Sequence, residues 1–117
     1  MIFGFTEQDL NRNQATFTAT EIAQQPDTWQ KTLKQIDGIR KPLDHFISKV
    51  TSQEHYEIIL TGAGTSEYVG NTLRPAILQR FGGRVQSVGT TDIVASPHCY
   101  IPSDRPILMV SFARSGD

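Results

Sequence analysis

One stretch limits what this chain can fold into more than any other: Glu57-Ile58-Ile59-Leu60-Thr61-Gly62-Ala63-Gly64-Thr65-Ser66-Glu67-Tyr68. It opens as a short apolar run of the kind that fills a buried parallel strand. It then turns through Gly62 and Gly64, offers the hydroxyls of Thr65 and Ser66, and passes into a helical pattern. Tyr68, Val69, Leu73, Ile77 and Phe81 recur there at spacings of three to four. Strand, glycine turn, hydroxyls and helix form a layout suited to an anion. The unpaired N–H groups of the first helical turn point at one spot, and the helix dipole favours negative charge there. A phosphate cradle is one reading of the stretch. The other is a serine-capped βα turn that needs no ligand.

Two familiar phosphate loops are excluded. A Walker-type loop needs a lysine after its second glycine, and no lysine lies between Val50 and the C-terminus. A dinucleotide fingerprint needs a third glycine in the sixth place, where this chain has Glu67.

With 117 residues the chain holds one domain at most, with a modest core. Its charged fraction of 20% and formal charge of −1 fit a soluble globular chain and leave no electrostatic footprint for nucleic acid or a membrane surface. No apolar run reaches bilayer length, and the N-terminus lacks the basic and apolar regions of a secretory signal. The single cysteine, Cys99, has no internal disulfide partner, so a cytoplasmic setting is expected.

Residues 1–19 show no period and read as an arm, with Thr18 and Glu21 spaced as a capping box for one or two turns. Pro26 is expected to break the path and Asp27 to cap a new helix. Trp29, Leu33, Ile36, Leu43, Phe46, Ile47 and Val50 form an apolar stripe along it, interrupted between Gly38 and Pro42. Residues 1–50 are thus an N-terminal arm and helical segment, and residues 51–117 begin an α/β domain. After the first strand and its helix, bent by Pro75 and ended by Gly82-Gly83, a second strand covers Arg84 to Val88. Gly89-Thr90-Thr91-Asp92 is another glycine-and-hydroxyl turn, and Pro97–Pro106 is mostly loop. A third strand, Ile107 to Phe112, reads as buried on both faces and runs into Ala113-Arg114-Ser115-Gly116-Asp117. A parallel sheet needs helices on both faces, and with no helix after Ser115-Gly116-Asp117 the chain reads as cut off.

Hydroxyls stand at three strand-end turns: Thr65 and Ser66, Thr90 and Thr91, and Ser115. In an open parallel sheet all such turns share the carboxyl edge, where ligands bind at the switch in strand order. The residues alone reach an α/β site for a small oxygenated anion, with Arg114 as an added charge. His45, His55 and His98 sit on a helix, in a linker and in a loop, and read as ordinary surface residues. Asp92 is the carboxylate of interest, with a plain helix cap as its competing role. Glu67 repels a phosphate unless it turns away.

Thr61-Gly62-Ala63-Gly64-Thr65-Ser66, followed about fifty residues later by Arg114-Ser115-Gly116-Asp117, resembles the opening of a sugar isomerase (SIS) domain. Glu21-Ile22, Gln25-Pro26, Trp29, Ile36-Asp37, Arg40, Thr90-Thr91-Asp92 and Ser111-Phe112-Ala113 add to it. With them, residues 18–117 are similar to the tagatose-6-phosphate ketose/aldose isomerase or galactosamine-6-phosphate deaminase group. The resemblance implies an incomplete parallel-sheet SIS domain (flavodoxin-like, an αβα sandwich) behind N-terminal helices. It implies phosphate binding by Gly64, Thr65, Ser66, Ser115 and Gly116, with substrate contacts at Thr90, Thr91, Asp92 and Arg114. Related aminotransferring isomerases carry Ser-Gln where this chain has Ala113-Arg114. No cofactor or metal is implied. The expected partner is a small sugar phosphate, not nucleic acid or membrane, within a homo-oligomer. The implied chemistry is conversion of galactosamine 6-phosphate to tagatose 6-phosphate with release of ammonia, its acid and base unassigned. The alternative is a regulator's SIS module that senses a phosphosugar without turning it over.

Overall fold

The computed structural model describes residues 1–114. The chain divides into two compact units, Met1–Pro42 and Leu43–Asp117.

In the first unit, α1 (Glu7–Arg12) buries Leu10 and α2 (Thr16–Gly38) buries Ala19. The expected capping box lies elsewhere. Thr18 and Glu21 are inside α2, and the box is made at Thr6 and Asp9. There the Asp9 N–H donates to Thr6 Oγ1 at 3.1 Å, and the Thr6 hydroxyl and N–H donate to Asp9 Oδ2 at 2.5 and 3.2 Å. The Thr6 hydroxyl first, and its amide second, hold the Asp9 carboxyl below its ordinary value.

Pro26 does not break the path either, because α2 runs through it. Proline forfeits the bond to the carbonyl of Ile22, but this length of helix is exposed, so water can take that carbonyl. Asp27 is therefore an interior residue. The break expected between Gly38 and Pro42 is present: α2 ends at Gly38, and α3 (Arg40–Thr51) begins two residues later with Pro42 in its first turn.

The second unit is built on a three-stranded parallel sheet: β1 (Glu57–Gly62), β2 (Arg84–Gly89) and β3 (Ile107–Phe112), in the order β2-β1-β3. α4 (Thr65–Phe81) joins β1 to β2, while α5 (Thr90–Ala95) and α6 (Pro97–Tyr100) precede β3. The central strand is buried at every residue, as its apolar run requires. Ile58, Leu60, Val85 and Leu108 make the core on one face, and Ile47 and Val50 of α3 and Ile77 of α4 pack against it. Only part of the apolar stripe is covered in this way. Trp29 and Leu33 remain more than 60% exposed. α4 continues as helix through Pro75 and ends at left-handed Gly82.

β3 departs from expectation. Its hydropathy predicts burial on both faces, yet only Leu108 is buried, and Met109 is 44% exposed. Among the described residues β3 is an edge strand, and its Met109 and Ser111 point to the face opposite Leu108 and Val110.

The amino edge of the sheet is self-satisfied. Glu57, only 2% exposed, accepts a hydrogen bond from Gln86 Nε2 of the neighbouring strand, and Arg105 lies 3.9 Å away. Arg105 also pairs with Asp104 at 2.9 Å. Among the described residues no helix is long and apolar enough to cross a membrane.

One packing detail is testable. α4 lies so near the sheet that a Cβ on Gly70 would sit 2.7 Å from Ser87 Oγ, a buried hydroxyl with no partner among the described residues. A buried unsatisfied hydroxyl costs about 1–3 kcal/mol, so Ser87→Ala is expected to stabilise the chain by about 1 kcal/mol in denaturant unfolding.

Candidate functional site

The register fixes the geometry of the carboxyl edge. Gly62 at the end of β1 pairs with Gly89 at the end of β2 and with Phe112 at the end of β3, so the three strands finish level. The turns at 63–66, 89–92 and 113–114 therefore rise from one rim, a strand spacing of about 4.8 Å apart. β1 has β2 on one side and β3 on the other, which makes the gap between β1 and β3 the switch point where open α/β sheets take their ligands. The turn after β1 and Arg114 flank that gap. Ser115 and Gly116 lie outside the described residues.

The turn after β1 is built by two glycines with different roles. A Cβ on Gly62 would meet the backbone of the next helix, 2.6 Å from Ser66 C and 2.9 Å from Glu67 N, so only glycine lets α4 begin this close to the strand end. Gly64, at φ 58°, takes the backbone position before the helix that other residues avoid.

Gly64 is the residue that caps α4, and no side chain bonds to this helix end. Thr65 and Ser66 are the first two helical residues. Ser66 is therefore not the helix cap. The Ser66 and Glu67 N–H groups close the turn onto the carbonyls of Ala63 and Gly64, at 3.2 and 3.1 Å. Among the described residues the hydroxyls of Thr65 and Ser66 have no hydrogen-bond partner, with Thr65 exposed and Ser66 half-buried.

At the second turn Thr90 and Thr91 open α5, again without a side-chain cap. Asp92 is the third helical residue, not the cap, and is exposed. The doubt over Glu67 is answered by its direction. A Cβ on Gly89 would lie 2.9 Å from Glu67 Oε2 and 3.3 Å from Asp92 Oδ2. Both carboxylates gather over the end of β2, on the side of β1 away from the switch point. The structure thus brings Gly64, Thr65, Ser66, Thr90, Thr91 and Asp92 to one rim, with Arg114 following β3 on the same rim.

Sequence reasoning passed over Thr61. It is 4% exposed, and its Oγ1 lies 3.1 Å from Thr90 Oγ1, linking the first two junctions. A hydroxyl closing an otherwise apolar strand was the available signal.

A cavity of about 550 Å³ lies at the other end of the strands, among Tyr56, Gly83, Arg84, Asp104 and Arg105. Its Arg105 is already engaged by Asp104 and Glu57, so its size is a poor guide to chemistry. His45, His55 and His98 are exposed and stand apart from the rim hydroxyls in sequence and element. Among the described residues no three His, Cys, Asp or Glu side chains are grouped to hold a metal ion.

No family model matches the chain. It is 43% identical over 103 residues to a Streptomyces coelicolor protein provisionally named as the D-galactosamine-6-phosphate deaminase AgaS, covering 88% of this chain and 27% of that protein. It is 39% identical over 102 residues to the D-galactosamine-6-phosphate deaminase AgaS of Escherichia coli, covering 87% of this chain and 27% of the relative. The crystal structure of tagatose-6-phosphate ketose/aldose isomerase from Escherichia coli superposes with a TM-score of 0.83 at 38% identity, covering 90% of this chain and 29% of that one.

The fold is therefore that of the SIS-type isomerases. By sequence the chain is a homologue of the tagatose-6-phosphate ketose/aldose isomerase and galactosamine-6-phosphate deaminase group, as its motifs suggest. It spans a little more than a quarter of the length of these relatives.

The close approach at Gly62 yields a prediction. In Gly62→Ala the clash is with backbone, which cannot rotate away, so a loss of about 1–3 kcal/mol in unfolding free energy is expected. Amide shifts at Gly64, Thr65 and Ser66 should move with it, which heteronuclear NMR would show.

Proposed function

We propose that this chain supplies part of the sugar-phosphate site of an enzyme that converts galactosamine 6-phosphate to tagatose 6-phosphate with release of ammonia. The observation that carries the reading is the start of α4, which has glycine and no side chain at its cap, bearing Thr65 and Ser66 at the switch point of a level parallel rim. An unscreened helix end with two free hydroxyls matches a phosphate ester in charge and in hydrogen-bond demand. The names of the homologues point to the same substrate class.

In this reaction the sugar ring opens, a proton leaves C2 and another is delivered to C1. The resulting C2 imine then takes up water and expels ammonia, leaving the ketone. The part of this chain is to anchor the phosphate, so that C1 and C2 are presented in one position to the acid and base. Thr65 and Ser66 hold the ester oxygens, and Gly64 brings backbone donors close. Arg114 contributes positive charge beside the same gap. Thr90, Thr91 and Asp92 lie one strand away, within reach of the sugar hydroxyls.

The test is titration with galactosamine 6-phosphate beside unphosphorylated galactosamine, followed by NMR. The phosphorylated sugar is expected to shift the amides of Gly64, Thr65 and Ser66, and galactosamine is not. In the full-length protein that carries this segment, Ser66→Ala should lower kcat/KM for ammonia release about 10- to 100-fold, the worth of one hydrogen bond to a charged group. Equal shifts with both sugars, or unchanged kinetics in the variant, would remove the phosphate site. Binding without ammonia release from the full-length wild type would favour the sensing module.

A further inference from the structure

We propose that Thr61 is a positioning residue that fixes the hydroxyl of Thr90 as a hydrogen-bond donor to the substrate; this rests on the sugar-phosphate reading above. Thr61 ends the apolar run of β1, pairs with Val88 and Ser111 on its two neighbours, and is 4% exposed. Its Oγ1 is 3.1 Å from Oγ1 of Thr90, and distance alone allows either to donate.

Burial decides between the two directions. A threonine hydroxyl has one proton to give and two lone pairs to offer. Among the described residues Thr90 is the only hydrogen-bond partner of the Thr61 side chain. If Thr90 donated, the Thr61 proton would be stranded in the interior, at a cost of about 1–3 kcal/mol. Thr61 therefore donates and Thr90 accepts. Thr90 is half-buried at the rim and is not used as a cap for α5, whose cap is Gly89. With one lone pair taken from below, its proton turns outward to the rim. The wet side of Thr90 is then set to meet an acceptor, which a sugar hydroxyl oxygen or a phosphate oxygen provides.

Neither part of this follows from the glycine turn or from helix-end chemistry. A phosphate loop needs no hydroxyl at position 61, and an apolar residue there would continue the run of Ile58, Ile59 and Leu60. The hydroxyl sits in a strand buried at every residue, and its one bond crosses to the next junction.

Thr61→Val keeps the shape and removes the donor. In the full-length protein it is expected to raise Kd and KM for galactosamine 6-phosphate about two- to threefold, the worth of fixing one hydroxyl among its three staggered positions, with kcat within about twofold. Thr90→Val removes the donor itself and should lose about five- to tenfold, and the double variant should be no worse than Thr90→Val, because Thr61 acts only through Thr90. Thr61→Ser should restore binding. Unchanged Kd in Thr61→Val, or losses that multiply in the double variant, would overturn the proposal, even if the melting temperature falls. A ligand-free readout separates it from the functional reading. Three-bond couplings should show Thr90 χ1 in one rotamer in the wild type and averaged in Thr61→Val. A wild type that ignores galactosamine 6-phosphate would sink the functional reading alone. A Thr90 held in one rotamer in Thr61→Val would sink this one.

Discussion

The level finish of three parallel strands is the constraint on which the second unit depends. Parallel pairing of β1 with both neighbours, without a bulge, carries Gly62, Gly89 and Phe112 to the same height. Every hydroxyl-bearing turn then starts from a common line. Slipping one strand by a single residue would exchange its buried and exposed faces and withdraw its turn from the rim by about 3.3 Å. The apolar run Ile58-Ile59-Leu60 resists such a slip, because all three side chains are fully buried and none can trade places with a polar neighbour.

Helix placement adds to this. α4 starts almost in contact with the end of β1, which is why a side chain at Gly62 would strike the backbone of Ser66. Along its length α4 presses Gly70 toward Ser87, and Arg74 Nε reaches the carbonyl of Val85 at 2.9 Å. A helix held this close has a fixed axis, so its glycine-capped end has a fixed aim. Preorganisation of that kind is what an anion site at a helix end requires.

How much of this was legible in the sequence differs from element to element. The strand–turn–helix unit at 57–81 was readable because its apolar run, its glycines and its 3.6-residue period all agree. The α2–α3 break was readable because Gly38 and Pro42 stand close together. Pro26 misled, since a lone proline in an exposed helix loses one bond that water can replace. The capping box was sought at Thr18, where Glu21 follows at the right spacing, while Thr6 with Asp9 has the same spacing and was passed over. Hydropathy gives β3 two buried faces, and among the described residues only Leu108 is buried, because no described element pairs with or covers its outer side. The use of Asp92 as a helix cap and of Ser66 as a serine cap failed for one reason. In both turns a glycine precedes the hydroxyls and takes the cap position itself.

The two ends of the sheet are unlike. At the amino end Glu57, Gln86, Asp104 and Arg105 answer one another's charge and hydrogen-bond needs across three segments of the chain. At the carboxyl end polar groups are left with capacity to spare. Internal pairing at the first end answers the polar groups gathered there, whereas at the second, among the described residues, the Thr65 and Ser66 hydroxyls have no partner within the chain. Screening by salt therefore acts on the first pole of these six-residue strands and, among the described residues, has no ion pair to act on at the second.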